Sequence, residues 1–309
     1  MGCEQTHERQ TLVTAKWFCI LPPAFTFRET RFGAAISSFR RFVITVFCWH
    51  IVLNCAFASF VFGMPTLLVP KALDPSRTLP HRVGVFWWGV MVWALNPFWQ
   101  IKIEGAERLE EGGPYLVCSN HQSMMDVLAL MALRSDFKWV SGDRFFKIPM
   151  LAVYMRLAGY IAADLKNPFS AKGILEECGA WIEKGVSVGL FPEGTRSANG
   201  RLGSFKSGAF RVAVENRVPV LAVAIDGTAE VMPKGSWTWA GESPFKTVRV
   251  KVLEPVALED LENPSPVELS HCVRNAIGDQ LVRWRGCAPE DVFGSKGRPS
   301  EKGLLRTTP

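Results

Sequence analysis

Charged residues are scarce in this chain of 309 residues: they make up 21% of it, against 48% hydrophobic residues. A disordered chain would be far more charged and less apolar, so that class is excluded. Histidine is also rare, with five in the sequence, and tyrosine occurs three times beside 21 phenylalanines and 11 tryptophans. This aromatic imbalance indicates contact with lipid or a very apolar core.

None of the eight cysteines pairs with another at the Cys-x-x-Cys spacing, which is typical of zinc and redox sites. Two of them, Cys48 and Cys55, fall within an apolar run. We interpret the cysteines as reduced thiols of a chain whose bulk faces the cytosol. The sequence has no cluster of histidine and cysteine that would hold a metal, and no cofactor is predicted.

The net charge of +6 suits anionic partners such as phosphate groups, acidic lipid or nucleic acid. The positive residues are dispersed, however, without a basic helix or an aromatic RNA-binding motif. Nucleic acid is therefore not an expected partner, and phosphate and membrane lipid are.

An uncharged apolar run begins after the mixed and basic segment 1–41. The range Phe42–Pro70 contains no lysine, arginine, aspartate or glutamate. Up to Phe62 it is long enough to cross a bilayer as a helix, and Gly63 and Pro65 then interrupt it. The run is too long and begins too late for a signal peptide.

A second apolar run, Val83–Trp99, follows the polar connector Lys71–Arg82. Pro97 limits its helix to about 14 residues, or roughly 21 Å, which is shorter than the hydrocarbon layer. Basic residues precede the first run, occupy the connector and follow the second run, and such residues favour the cytoplasmic side. We therefore predict that residues 42–99 form a membrane-embedded pair of helices that dips into one leaflet. A full crossing and a buried helical hairpin are the alternatives.

Residues 100–290 are predicted to form an α/β catalytic domain, a central sheet flanked by helices, and residues 291–309 a disordered tail. The alternation of polar and apolar residues in Thr247–Val252 predicts an edge strand. A capping sequence at Ser265 predicts a helix that Gly286 ends. The other predicted elements are the strands Tyr115–Ser119, Val186–Phe191 and Pro219–Ile225 and the helix Ser170–Lys184.

His121 and Asp126 stand in the segment Asn120–Asp126, just after the first of these strands. A histidine at the exit of a strand is well placed to act as a base, and a carboxylate five residues later can hold its ring. This requires His121 to lie in the loop and Asp126 in the first turn of a helix, since positions i and i+5 of a straight helix do not face each other. A structural histidine would fit the same pattern.

The segment Phe191–Ser197, with the sequence Phe-Pro-Glu-Gly-Thr-Arg-Ser, begins at the end of another predicted strand. Gly194 lets the backbone approach a ligand closely, Thr195 offers a hydroxyl, and Arg196 offers a bidentate fork for phosphate. Glu193 would be unfavourable beside an anion unless it orients the arginine or a substrate hydroxyl. A plain turn explains only the proline and the glycine.

Together the two segments resemble the glycerolipid acyltransferase family, and most closely its 1-acylglycerol-3-phosphate acyltransferases. The resemblance covers about residues 99–256 and includes the apolar strand that opens at Pro219. It implies an α/β fold and transfer of a fatty acyl group from a thioester, acyl-CoA or acyl carrier protein, to the hydroxyl of a lysophospholipid. By the same resemblance His121 is the base and Asp126 orients it. The acceptor phosphate would be bound by Glu193, Gly194, Thr195 and Arg196.

One block departs from the family's pattern. In the range Gly159–Lys166, Leu165 stands where an arginine is expected, and Lys166 comes one residue late. Lysine supplies charge but not the planar fork, so Lys166 is a partial replacement in binding the acceptor. Lys206, at the start of a predicted helix, is a further candidate for substrate binding, although a solvated surface lysine would look the same.

The sequence therefore predicts a membrane-bound acyltransferase that makes phosphatidic acid from 1-acyl-glycerol-3-phosphate. It would lie in the cell inner membrane with its catalytic domain on the cytoplasmic side. The alternative within this class is an O-acyltransferase for another lyso-lipid acceptor. A non-catalytic lipid-binding membrane protein is the alternative from a different class, and the joint presence of His121, Asp126, Glu193 and Arg196 argues against it.

Overall fold

The computed structural model describes residues 31–95, 99–164, 167, 170–239, 246–261, 264–294 and 297. The strands are β1 (Trp99–Glu104), β2 (Leu116–Ser119), β3 (Phe137–Gly142), β4 (Ile161–Ala163), β5 (Ser187–Leu190), β6 (Val220–Asp226) and β7 (Lys246–Val256). The helices are α1 (Arg31–Gly63), α2 (Thr78–Leu95), α3 (Met125–Met131), α4 (Pro149–Leu157), α5 (Ser170–Ile182), α6 (Ser207–Asn216), α7 (Thr228–Val231), α8 (Pro266–Arg285) and α9 (Pro289–Phe293). The chain divides into the units 1–39 and 40–309, and all contacts described below lie within the second.

The seven strands form one sheet in the order β1-β7-β6-β2-β5-β3-β4. Every neighbouring pair is parallel except β6 and β7, which are antiparallel. Parallel neighbours need crossover connections, and here helices supply them and cover both faces. The predicted α/β class with a central sheet flanked by helices is confirmed, and β2, β5 and β6 fall where strands were predicted.

Strand β6 shows how the sheet divides its side chains between two cores. Alternate residues of a strand point to opposite faces. One set packs with residues of α1 to α4, and the other packs with residues of α5, α6, α8 and α9. The first set is Leu221, Val223 and Ile225, and the second is Val220, Ala222 and Ala224. Because both faces are buried, the strand is a continuous apolar run in the sequence.

The prediction that Thr247–Val252 is an edge strand is wrong. Strand β7 lies second from the edge and pairs with β6 on one side and β1 on the other. Its alternation reflects two different faces, since the valines enter a core while the other face is polar. On that polar face Lys251 pairs with Glu104 of β1 at 3.0 Å. The edge is β1, a strand that the sequence analysis did not predict.

Helix α1 contains the first predicted helix and begins earlier, at Arg31. It ends at Gly63, and a 3-10 helix, Met64–Leu68, continues from it with Pro65 in its first turn. Among the helices of the described residues, α1 alone is long and apolar enough to cross a membrane, judged by length and composition. The candidate stretch is Ser37–Leu68, with a mean hydropathy of 1.9.

Helix α2 is longer than predicted, because it begins at Thr78 rather than Val83 and has 18 residues. At 1.5 Å per residue it is about 27 Å long. Asp74 initiates the helix by accepting the backbone N–H groups of Thr78 at 2.8 Å and Leu79 at 3.1 Å. Pro80 is tolerated in the first turn, where its missing N–H is not needed.

The C-terminal helix α8 begins and ends as predicted. Ser265 accepts the backbone N–H of Glu268 at 3.2 Å, which caps the first turn. Gly286 ends the helix in the left-handed conformation, with φ of 60°. The N-terminal residues 1–30 and most of the predicted tail, including 298–309, lie outside the described residues.

Candidate active site

Three neighbouring parallel strands bring the predicted site residues to one edge of the sheet. Strand β2 leads to His121, β5 leads to the segment Phe191–Ser197, and β6 leads to α7, which begins at Thr228. The carboxyl ends of parallel neighbours meet at the same edge, so segments far apart in sequence become adjacent. The backbone N–H of Ser197 donates to the carbonyl of His121 at 2.7 Å and joins the two predicted motifs directly.

His121 and Asp126 form a hydrogen-bonded pair. His121 lies in the loop after β2 and Asp126 in the first turn of α3, as the predicted pairing requires. The distance from His121 Nδ1 to Asp126 Oδ2 is 2.7 Å. A carboxylate oxygen only accepts, so Nδ1 carries a proton, and in the neutral ring the lone pair is then on Nε2. Among the described residues Nε2 has no hydrogen-bond partner, and 16% of the histidine side chain is exposed.

Asp126 is completely buried and is held by four donors. Besides the histidine, its Oδ2 accepts the backbone N–H groups of Gln122 at 2.6 Å and Ser123 at 2.8 Å. The Thr228 hydroxyl donates to Oδ1 at 2.5 Å. A buried carboxylate is tolerated only when its lone pairs are satisfied, and here they are. Thr228 was not predicted, because it belongs to a different strand exit.

Aromatic rings fix the imidazole from one face. The ring of Phe191 stacks on that of His121 with centroids 4.0 Å apart, and Trp139 stacks on Phe191 at 5.7 Å. Strand β5 has a glycine where the ring of Phe137, which contacts Trp139, packs against it. A Cβ atom at Gly189 would lie 2.8 Å from the ring of Phe137. With one nitrogen held by a carboxylate and one face held by a ring, the histidine has a single orientation.

Asn120 explains the first position of its motif. Its side chain donates to the carbonyl of Ile225 at 2.9 Å and accepts the N–H of the same residue at 2.8 Å. The amide thus takes the place of a strand neighbour for β6 and is 1% exposed. Asn120 therefore anchors the loop that carries His121 to the adjacent strand.

Glu193 connects the two motifs through backbone groups. Its Oε1 accepts the N–H of His121 at 2.8 Å, and its Oε2 accepts the N–H of Gly203 at 2.9 Å. The side chain is buried, and burial raises the pKa of Glu193 while the two N–H bonds partly offset that rise. Since both oxygens are occupied, this geometry favours a positioning role over the phosphate contact that the resemblance implies.

The segment after Glu193 presents positive charge. Gly194 has φ of 70°, and a Cβ atom there would lie 2.8 Å from Nζ of Lys206, so this predicted lysine does lie at the segment. Thr195 is exposed and Arg196 is partly buried. Burial lowers the pKa of Arg196 and the positive charge of Arg144 lowers it further.

The sequence analysis did not predict two further cationic residues, Lys234 and Arg144. Nζ of Lys234 donates to the carbonyl of Arg196 at 2.5 Å, and it lies in a loop to which no motif pointed. Arg144 follows β3, and no sequence motif singled it out. Lys166, the predicted replacement for the missing arginine, lies outside the described residues.

The family model named Acyltransferase matches residues 100–226. The chloroplastic 1-acyl-sn-glycerol-3-phosphate acyltransferase LPAT1 of Arabidopsis thaliana is 37% identical over 198 residues, which are 63% of this chain and 53% of that protein. A 1-acyl-sn-glycerol-3-phosphate acyltransferase of Chlamydomonas reinhardtii is 30% identical over 254 residues, covering 82% of this chain and 71% of its own length. One from Limnanthes douglasii is 32% identical over 231 residues, covering 74% and 77%.

The crystal structure of the 1-acyl-sn-glycerophosphate acyltransferase PlsC from Thermotoga maritima shares the fold. Its TM-score is 0.62 at 23% sequence identity, covering 81% of this chain and 99% of that one. The chain spans about half the length of the Arabidopsis protein and of a similar Brassica napus protein, 53% and 51%. The relatives from Chlamydomonas and Limnanthes are covered over more than two thirds of their length. The chain therefore belongs to the acyltransferase family that includes these 1-acyl-sn-glycerol-3-phosphate acyltransferases.

Proposed function

We propose that the protein is a membrane-bound 1-acyl-glycerol-3-phosphate O-acyltransferase. It moves a fatty acyl group from a thioester, acyl-CoA or acyl carrier protein, to the free hydroxyl of the lyso-lipid and produces phosphatidic acid. The proposal depends on one observation: the His121–Asp126 pair lies beside residues 193–197, which we call the phosphate-suited loop. The two are joined by the 2.7 Å hydrogen bond from the N–H of Ser197 to the carbonyl of His121. The names of the relatives from one alga and two plants agree with it.

The geometry supports direct attack by the acceptor. Nε2 of His121 takes the hydroxyl proton while the alcohol oxygen bonds to the thioester carbonyl carbon. The tetrahedral intermediate then breaks its C–S bond, and the departing thiolate takes the proton back from the imidazolium. Asp126 stabilises the imidazolium through Nδ1 in between. The products are an ester and a free thiol, and no covalent intermediate on the enzyme is needed.

An acceptor panel tests the proposal. The purified protein in neutral detergent would be offered lysophosphatidate, other lysophospholipids and an amino-acid-containing lyso-lipid, each with acyl-CoA and with acyl carrier protein. We expect lysophosphatidate to react fastest. The other acceptors are included because Leu165 stands where an arginine is expected, and a leucine cannot bind a phosphate. If an acceptor without a terminal phosphate works better, the enzyme belongs to that alternative class.

Arg196 should determine the affinity for the acceptor. Because its guanidinium can hold a phosphate by two parallel bonds, Arg196→Ala should raise the KM for lysophosphatidate by about ten- to a hundredfold. Arg196→Lys keeps the charge but loses the fork and should give an intermediate value. Steady-state kinetics with each substrate varied separately measure this, and Arg211→Ala, at an exposed helical arginine paired with Glu215, is the control. A rise in the KM of the acyl donor instead would contradict the assignment.

Contacts between the N-terminal helices and the catalytic part support attachment to one leaflet. Thr45 accepts the backbone N–H of Trp239 at 3.0 Å, and the indole N–H of Trp49 donates to the carbonyl of Trp237 at 2.8 Å. At its other end, a Cβ atom added to Gly63 would lie 3.7 Å from the ring of Tyr154, so the helix passes close to that ring. Helix α1 thus touches the catalytic part at two points about 27 Å apart along its axis. A helix that left the catalytic part to cross the bilayer would touch it near one end only.

The connector between the helices is also tied to the catalytic part. Arg82 pairs with Asp136 at 2.5 Å, and Lys138 donates to the carbonyl of Arg77 at 2.9 Å. Apolar side chains exposed on α1, α2 and the start of α4 supply a surface suited to lipid. They include Phe42, Val46, Phe47, Leu53, Phe57, Phe62, Phe86, Trp93, Ile148 and Met150. We place the protein in the cell inner membrane with its catalytic part on the cytoplasmic side.

Cysteine labelling from the two sides of the membrane tests this placement. Ala72→Cys lies in the exposed connector, and Glu215→Cys on α6 reports the side of the catalytic part. The background would carry alanine at cysteines 3, 19, 272 and 287, and the buried Cys48, Cys55, Cys118 and Cys178 would be kept. We expect a membrane-impermeant maleimide to label both introduced positions from the cytoplasmic side. Labelling of position 72 from the opposite side alone would show that α1 crosses.

A further inference from the structure

A lysine outside both sequence motifs reaches the phosphate-suited loop. Lys234 lies in the loop that follows α7, and its Nζ donates to the carbonyl of Arg196 at 2.5 Å and lies 3.5 Å from Oγ1 of Thr195. Its side chain is exposed. An ammonium group has three N–H donors, so at least one is free for a ligand beside the threonine and the arginine.

The loop that follows α7 is held by hydrogen bonds to the segment that carries His121 and Asp126. Thr228 at the start of α7 donates to Asp126, and the hydroxyl of Ser123 donates to the carbonyl of Met232 at 2.6 Å. The same residues that hold the His121–Asp126 pair therefore hold the backbone two residues before Lys234. The backbone beside Lys234 and the His121–Asp126 pair are thus held by the same two residues, Ser123 and Thr228.

The positive charges around residues 193–196 favour binding of an anion. Three cationic side chains lie at the segment 193–196, namely Arg196, Lys206 and Lys234, and the positive charge of a fourth, Arg144, acts on Arg196. In the part of the chain that the structure describes, none of the four forms an ion pair with a carboxylate. Like charges repel when they are held together without counter-ions, and a bound phosphate would relieve that repulsion.

We propose that Lys234 is a ligand of the acceptor's phosphate monoester, acting beside Arg196 in the site of the proposed function. It supplies a positive charge beside Arg196, in a chain that has Leu165 where the family has an arginine. Its ammonium is a compact point charge that complements the bidentate fork of the arginine. Lys234 is thereby a determinant of specificity for phosphate-bearing acceptors, and His121 remains the base.

Two other roles for Lys234 give different results. If it only holds the loop through the Arg196 carbonyl, its loss should lower kcat and stability with every acceptor. If it binds a phosphate of acyl-CoA, its loss should raise the KM of that donor. Assays in neutral detergent exclude a contribution from anionic lipid headgroups. The acceptor and donor constants must therefore be measured separately.

The test compares Lys234→Met, which keeps the apolar stem, with Lys234→Arg. Lys251→Met, at a half-buried lysine that pairs with Glu104, is the control. The probe is a 2-deoxy analogue of lysophosphatidate, which carries the phosphate but no reacting hydroxyl. Its binding to the full chain in neutral detergent is measured by calorimetry. We expect Lys234→Met to raise the Kd of the analogue about tenfold, as loss of one charged hydrogen bond does. Lys234→Arg should recover most of the affinity, and Lys251→Met should change nothing.

Kinetics should agree with the binding result. Lys234→Met should raise the KM for lysophosphatidate about tenfold and leave kcat and the donor KM within about twofold. An unchanged Kd for the analogue, or a defect confined to the donor, overturns the proposal even if the wild type acylates lysophosphatidate. If the wild type binds the analogue through Lys234 but transfers no acyl group, the phosphate site stands and the proposed function fails.

Discussion

We expect His121→Ala to lower the rate of acyl transfer by about 10²–10⁴, the usual contribution of a positioned general base. Alanine removes the imidazole whose Nε2 takes the hydroxyl proton in the proposed mechanism, while the backbone N–H that Glu193 accepts is kept. The measurement is the initial rate with saturating thioester and lyso-lipid. His271→Ala, on the surface-facing part of α8, is the matched control and should retain full activity.

The variant should stay folded and bound to membrane, because the side chain is partly exposed and its loss leaves no large cavity. Thermal unfolding in detergent and membrane fractionation check this. Near-normal turnover by His121→Ala would end the proposed mechanism, since no described residue replaces Nε2.

Asp126→Asn should reduce the rate by a similar factor of about 10²–10⁴. The amide can no longer stabilise an imidazolium by charge. If its NH₂ group faces Nδ1, it also forces the ring proton onto Nε2, which then cannot accept from the hydroxyl. Initial rates measure the loss, and Asp291→Asn, at an exposed carboxylate on α9, is the control.

A double variant separates orientation of the base from a general loss of structure. If Asp126 acts only through His121, then Asp126→Asn should cost little more in a His121→Ala background than His121→Ala alone. Fully additive losses would mean that the carboxylate affects catalysis by another route. The expected result is a pronounced lack of additivity.

The sequence allowed the core of the site to be predicted because its chemistry is local. His121 and Asp126 are five residues apart, and the strand, loop and helix that place them are short. The partners that complete the site are distant in the chain: Thr228 is 102 residues from Asp126, and Lys234 is 38 residues from Arg196. Only the order of strands in the sheet brings such groups together, and no local pattern records it.

The same limit explains the errors in the fold. Strand β7 alternates polar and apolar residues because one face is polar, and a strand at an edge would alternate in the same way. Its second neighbour is β1, which lies far upstream in the chain. Helix α2 was predicted too short because its first turn is polar and contains Pro80. The carboxylate of Asp74, which stabilises that turn, acts from before the helix.

The bridge that Glu193 makes between the backbones of His121 and Gly203 has a consequence for which molecules can react. Together with the bond from Ser197 to the His121 carbonyl, it ties the loop of His121 to the segment that carries Arg196. Under the proposed function, this connection sets the spacing between hydroxyl and phosphate that an acceptor must have in order to react. A lipid whose hydroxyl is one carbon nearer to or farther from its phosphate would then bind through the phosphate, but its hydroxyl would not reach Nε2 of His121. We therefore expect the choice among the hydroxyls of a polyol to depend on these backbone hydrogen bonds.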